Sequence, residues 1–202
     1  MIKKAKSHLI VKDEILKDIL ASIELPEVES TKSVFHDLMS CIIEQQIHYR
    51  SSKKIFEKML EASSLKLLTL QNFSTFEKNG FKNVKLSARK YETIAQTLDF
   101  FSHQNIDWQK LEDDEVRKQL SQIKGIGTWT IDMILLFTLE RQNIFPADDY
   151  HLKQIMLKLY NIDTSSKVKS QLKAIAKNWS PYQSIAVKYL LAWKTTQQRI
   201  VI

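Results

Sequence analysis

Leu120-Ser121-Gln122-Ile123-Lys124-Gly125-Ile126-Gly127-Thr128-Trp129-Thr130 joins a polar stretch to an apolar one and holds two of the three glycines in a chain of 202 residues. Glycines one residue apart at such a junction permit positive φ and remove side-chain bulk, which makes a very tight turn between two helices. An anion can then approach the backbone, and the N–H groups that start the next helix point towards it. The reading is a non-specific phosphate clamp. Taken alone, the same glycines also fit an ordinary helix C-cap, the commoner use of the residue.

The segments flanking this turn are helical in period. From Asp113, DDEVRKQLSQIK is polar and amphipathic, and after Thr128 the residues Ile131, Ile134, Leu135 and Thr138 share one face. Val34, Leu38, Cys41 and Gln45 form a stripe after Thr31. Leu152, Ile155, Met156 and Leu159 form another, followed by Val168, Leu172, Ile175 and Trp179, and then by Ile185, Tyr189 and Trp193. With only 3 Gly and 3 Pro and few alternating β-branched runs, the chain is expected to be all-α, long helices joined by short turns. No linker, repeat or low-complexity tract marks a domain boundary, so residues 1–202 are read as a single domain.

Composition narrows the function classes. Thirty Lys and Arg against 23 Asp and Glu give a formal charge of +7, which suits a polyanionic partner without specifying nucleic acid. One cysteine, Cys41, excludes an internal disulfide, and no Cys/His spacing fits a zinc or iron–sulfur site. The start, MIKKAKSHLIVKDEIL, mixes charges with apolar residues, and no later run reaches the ~20 apolar residues of a bilayer span. These features lead us to expect a cytoplasmic protein with no membrane partner.

A second motif stands about a helix length beyond the glycine turn: Phe145-Pro146-Ala147-Asp148-Asp149-Tyr150-His151-Leu152-Lys153-Gln154. Two acids at the start of a helix allow one to cap it and the other to act. GIGTWT followed by FPADDYHLKQ resembles the helix-hairpin-helix glycosylase superfamily with its Gly/Pro-rich loop and aspartate, in particular the 3-methyladenine DNA glycosylase II branch. Ile42-Ile43-Glu44-Gln45-Gln46-Ile47 is similar to that branch's IIxQQI helix end, and Leu86-Ser87-Ala88-Arg89-Lys90 to its LSxxK helix start. Adding WSPYQSIA from Trp179, the likeness covers nearly the whole chain.

The resemblance implies roles residue by residue. Asp149 matches the catalytic aspartate, whose carboxylate activates water or stabilises the positive sugar as the base departs. Asp148 is then the helix cap, a use worth ~1 kcal/mol. Bifunctional relatives have a nucleophilic lysine two residues after the second hairpin glycine; Trp129 stands there, so strand cleavage through a Schiff base is not expected. Trp129 matches instead the aromatic wall of the base pocket, where a π face stacks on a flipped, cationic base. Met133 replaces an aromatic residue found one turn further in some relatives. Leu191 stands where a tryptophan is frequent, with Trp193 two residues later. Gln45 and Tyr150 complete the substrate-binding set.

For DNA the resemblance gives Gln46 as the wedge that fills the gap left by the flipped nucleotide, His48 beside it, and Lys124, Gly125, Gly127 and Thr128 along the hairpin. Lys124 replaces a common proline and adds charge near the expected phosphate path. The main-chain carbonyls of Ser121, Ile123 and Ile126 correspond to those that bind a structural Na+ or K+, and no other cofactor is required.

The implied architecture is two helical lobes with the active-site cleft between them and no N-terminal β-domain. The central lobe covers approximately 31–125, and the N-terminal segment with approximately 126–202 forms the other. The implied function is that of a monomeric, monofunctional DNA glycosylase in base excision repair, which flips alkylated purines from double-stranded DNA and hydrolyses the N-glycosidic bond. The competing readings are a non-catalytic helix-hairpin-helix DNA-binding protein and a purely structural helical protein with a basic surface.

Overall fold

A computed structural model describes residues 2–25, 30–44 and 49–200, the side chains at 49–54, 83, 195 and 197–200 excepted. No strand occurs among the described residues, as the low glycine and proline content led us to expect. The chain divides into two compact units, one of Met1–Glu29 with Glu140–Ile202 and the other of Ser30–Leu139.

In the Ser30–Leu139 unit, α3 (Val34–Glu44) is the central element, burying Val34, Phe35, Leu38, Met39, Ile42 and Ile43. It packs on α4 (Tyr49–Ala62), which packs in turn on α5 (Phe73–Gly80). Phe56, Phe76 and Phe81 interlock edge to face at 5.6 and 5.7 Å, the arrangement ring quadrupoles favour. The long α6 (Ala88–His103) also lies on α3. His36 of α3 accepts the Leu68 N–H at its Nδ1 (2.9 Å), and burial holds its pKa below the usual histidine value.

The polar segment after Glu112 becomes α7 (Asp113–Leu120), with acids in its first turn and Arg117 and Lys118 in its last, matching the helix dipole. The Glu115 carboxylate accepts the Glu112 N–H at 3.0 Å, one half of a capping box. Beyond the glycine turn, α8 (Thr128–Met133) does not continue as a regular helix. Ile134–Thr138 is a π-helical turn, closed by Leu139 N–H donating to the Ile134 carbonyl at 2.9 Å. This turn packs on α3, where the Thr138 hydroxyl donates to Asp37 Oδ2 (2.7 Å) and the Thr138 carbonyl accepts from Ser30 (2.7 Å). These attachments explain a difference from the sequence reading. Residues 126–139, assigned above to the second lobe, group with α3 and α7, and the division falls after Leu139.

The other unit combines α1 (Ile2–Lys12) and α2 (Glu14–Ser22) with α9 (Tyr150–Leu159), α10 (Val168–Lys177) and α11 (Gln183–Ile200). α11 packs on α1, α2 and α9. Among its described residues Ser184, Ala186, Val187, Tyr189 and Leu190 are buried, with Ile185 and Trp193 at the margin of the stripe read from the sequence. Trp179, read as the last residue of the α10 stripe, lies in the turn beyond that helix and is wholly buried.

Candidate functional site

The glycine turn is a helix–hairpin–helix unit held by its own backbone. The Ser121 N–H donates to Arg117 O at the end of α7, Ile123 to Leu120 O (3.2 Å) and Ile126 to Ile123 O (3.1 Å). Ile123 and Ile126 are 2% and 8% exposed and root the turn in the apolar interior. The two glycines do different work. Gly125 has φ +97°, and a Cβ built on it would collide with the side chain of Thr93 on α6. Gly127, which precedes α8, has φ −100° and ψ 173°, extended backbone that any residue adopts, and a Cβ there would meet no atom within 4 Å. The fold therefore requires glycine at 125, whereas the space over Gly127 is open.

The helices on either side of the hairpin are tied by Arg117, whose Nη2 lies 2.7 Å from Oδ1 of the buried Asp132. Lys124 at the tip is exposed and pairs with Glu92 of α6 at 2.6 Å. That hydrogen bond and the adjacent charge hold the Glu92 carboxyl below its usual pKa. The cation expected to face a phosphate thus has a carboxylate beside it. Thr128 is exposed, and Trp129 and Met133 are half-buried on α8. Phe137, not selected from the sequence, is 44% exposed although its neighbours in the π-helical turn are buried. Its signal is an aromatic residue four beyond Met133, itself four beyond Trp129. Gln45, Gln46 and His48 lie outside the described residues.

The second motif forms a turn in which Asp149 N–H donates to Pro146 O at 2.9 Å, followed directly by α9. Here the sequence reading is corrected. Asp148, taken as the cap, is exposed and pairs with Lys169 at 2.6 Å. Asp149 is the N-cap: φ −72°, ψ 118°, with its Oδ1 accepting the Leu152 N–H at 2.7 Å. A capping carboxylate must sit at the last non-helical residue, three before the N–H it accepts, and only Asp149 has that spacing to Leu152. The same residue is 7% exposed, so its charge is kept from water and oriented by the helix start.

Around Asp149 the chain places Tyr150, which the sequence reading selected for the substrate, and two groups that it did not select, His151 and Lys194. Tyr150 is 67% exposed and meets the His151 ring edge-on at 5.6 Å. Lys194 of α11 lies with its Nζ 2.7 Å from His151 Nδ1, so the ammonium donates to a neutral imidazole. Burial, then the Lys194 charge, lower the histidine pKa, while Asp149 acts in the opposite direction. No group of three or more His, Cys, Asp or Glu suited to a metal ion occurs among the described residues, and no described helix is long and apolar enough to cross a membrane.

The chain is similar to known proteins in sequence and in fold. The family pattern described as HhH-GPD superfamily base excision DNA repair protein matches residues 39–181. DNA-3-methyladenine glycosylase 1 of Schizosaccharomyces pombe is 26% identical, over 97% of this chain and 88% of the relative. A longer Bacillus subtilis relative is also 26% identical, and the chain spans 60% of its length. Among solved structures, the S. pombe 3-methyladenine DNA glycosylase in complex with abasic DNA superposes with a TM-score of 0.75 at 26% identity, covering 96% of this chain and 97% of that one. A Bacillus halodurans DNA-3-methyladenine glycosidase superposes with a TM-score of 0.73 at 24% identity, covering 96% and 91%, a likeness of fold.

Proposed function

The chain belongs to the HhH-GPD superfamily of base excision DNA repair proteins, and on that premise we propose that it is a monofunctional DNA glycosylase that hydrolyses the N-glycosidic bond of alkylated purines of the 3-methyladenine type in double-stranded DNA, acting as a monomer. The observation that carries this reading is Asp149, a buried carboxylate fixed at the start of α9.

Departure of the base leaves positive charge on the sugar, and a fixed anion beside it lowers that barrier most where water is excluded. Asp149 needs no reorganisation to do this, because the Leu152 N–H holds Oδ1 in place. The same carboxylate accepts a hydrogen bond from an approaching water and takes its proton as the water oxygen bonds to the sugar carbon that the base has left. An alkylated purine already carries positive charge on the base, so the leaving group needs little help. Trp129 on α8 offers a π surface for a cationic ring. No amine stands at its position to form a Schiff base, so the product is an abasic site in an unbroken strand.

On the hairpin, the open space over Gly127 lets a phosphate come close to the main chain without contact from a side chain. The carbonyls of Ser121, Ile123 and Ile126 are the hard oxygen donors that a Na+ or K+ takes. Ile123 O keeps a lone pair beside its bond from Ile126 N–H. Such an ion would supply positive charge for the phosphate.

The test is release of methylated bases from methylated duplex by wild type and by Asp149→Asn. Asparagine caps a helix about as well as aspartate, so the variant keeps α9 and removes only the charge. Release by wild type alone supports the assignment, and equal release by both refutes it. Duplex binding with release by neither identifies a non-catalytic binding protein. A borohydride-trapped protein–DNA adduct would contradict the monofunctional reading.

A further inference from the structure

The element that carries Asp149 is anchored at both ends on one residue of the distant N-terminal segment. Asp13 caps α2, its Oδ1 accepting the Leu16 N–H at 3.0 Å. Its other oxygen, Oδ2, accepts from Trp179 Nε1 at 2.7 Å and from the Tyr160 hydroxyl at 2.9 Å. Tyr160 terminates α9, its N–H bonded to Met156 O at 2.9 Å. Trp179, with no exposed surface, lies edge-on to Phe145 with ring centroids 5.9 Å apart and tilted against Tyr160 at 6.2 Å. Phe145 in turn opens the turn that ends in Asp149, its carbonyl accepting the Ala147 N–H while the Pro146 carbonyl accepts that of Asp149. Trp179 is therefore wedged between the residue that leads into the Asp149 turn and the residue that closes α9, and Asp13 holds the indole.

We propose that Asp13 is a positioning residue for Asp149, fixing through Trp179 and Tyr160 the segment Phe145–Tyr160 that places the carboxylate. The functional consequence rests on the reading of Asp149 given above; the mechanical link does not. The physical basis is that an indole N–H buried without access to water must keep its acceptor, and a carboxylate is the strongest available. Burial and then the Asp13 charge push the Tyr160 hydroxyl well above the usual phenol pKa, so it stays a donor to Asp13 throughout the working range. The start of the same loop has a separate attachment, Ser184 of α11, which accepts the Ile144 N–H at 3.0 Å. That bond lies before Phe145, the residue on which Trp179 packs.

The experiment compares wild type with Asp13→Ala, Asp13→Asn and Trp179→Phe, with two readouts. Amide exchange at Leu152, whose N–H is bonded to Asp149, reports whether the carboxylate is in place without requiring activity. Single-turnover base release at saturating enzyme, alongside affinity for undamaged duplex, reports the consequence. Asp13→Ala and Trp179→Phe are expected to speed Leu152 exchange and slow single-turnover release by about tenfold each, which corresponds to ~1.4 kcal/mol. Duplex affinity, carried by the other unit, is expected to stay within about twofold, and Asp13→Asn, whose single amide oxygen can serve the Leu16 cap or the indole but not both, to recover only part of the loss. Should Asp13→Ala fail to fold, Trp179→Phe, which keeps the ring and the α2 cap, decides alone. Unchanged exchange at Leu152, or losses of rate and duplex affinity in equal proportion, would overturn the proposal. Faster Leu152 exchange in variants of a wild type that releases no base leaves the anchor standing and removes the glycosylase reading instead.

Discussion

On the proposed function, the two hairpin glycines separate stability from DNA binding, and alanine at each should show it. At Gly125 the backbone has φ +97°, and an L-residue there costs ~1–2 kcal/mol. The new Cβ also runs into Thr93, which is 6% exposed and engaged through its hydroxyl with Arg89 O at 3.0 Å, so it has little freedom to move aside. Overpacking of this kind costs ~1–3 kcal/mol, and the reduced entropy of the unfolded chain returns ~0.4–1 kcal/mol. Gly125→Ala is therefore expected to destabilise by ~2–4 kcal/mol. Gly127→Ala meets nothing within 4 Å and needs no unusual φ, so its only cost is the weaker helix cap, at most ~1 kcal/mol. If a phosphate approaches the main chain there, the added methyl group should weaken duplex binding by about tenfold, ~1.4 kcal/mol. Urea unfolding and fluorescence anisotropy with an undamaged duplex measure the two effects separately. Equal destabilisation by both substitutions, or unaltered duplex affinity in Gly127→Ala, would refute the reasoning.

The pair formed by Lys124 and Glu92 predicts that Glu92→Gln tightens duplex binding and steepens its dependence on log salt by about 0.9, the slope of one more neutralised phosphate, while Lys124→Gln weakens it; anisotropy across a salt series checks both, and an unchanged slope in Glu92→Gln removes the assignment. His151 has a pKa depressed by burial and by Lys194, so the folded state disfavours its protonation. Its contribution to stability is present above the ordinary histidine value of about 6.5 and is lost as pH falls from there through the depressed value. His36 acts with the same sign, so His151→Leu should retain part of the acid loss of wild type and show a smaller drop in urea midpoint between about pH 7 and pH 5. The same drop in both proteins would mean that His151 is not the group titrating.

Much of the architecture was legible because it is local. The stripe of α9 could be read from its apolar spacing, and Leu152, Ile155 and Met156 are buried; of the α3 stripe Val34 and Leu38 are buried and Cys41 half-buried, the buried face being centred on Leu38, Met39, Ile42 and Ile43. The hairpin was found as a glycine pair between two periodic segments. Where the reading failed, a distant contact intervened. The segment after Thr128 reads as a core helix, but it passes into a π-helical turn, where the Thr138 hydroxyl donates to Asp37 and the Thr138 carbonyl accepts from Ser30, which joins residues 126–139 to the other helices of their unit. Lys124 looked like a bare cation because nothing nearby in sequence announces Glu92. His151 and Lys194 were passed over for the same reason.

The sequence by itself determined the helical class, the hairpin and the position of an acid at the start of a helix. Periodicity, glycine φ and cap spacing act over a few residues and are written where they act. Only the tertiary structure decided that Asp149 rather than Asp148 is the buried cap, that Thr93 forbids a side chain at Gly125 while Gly127 faces open space, and that Asp13 holds the indole behind the Asp149 turn. Each depends on which distant side chain is near and whether water is absent, and burial sets the energy of a charge or an N–H far more strongly than the identity of its neighbours in sequence.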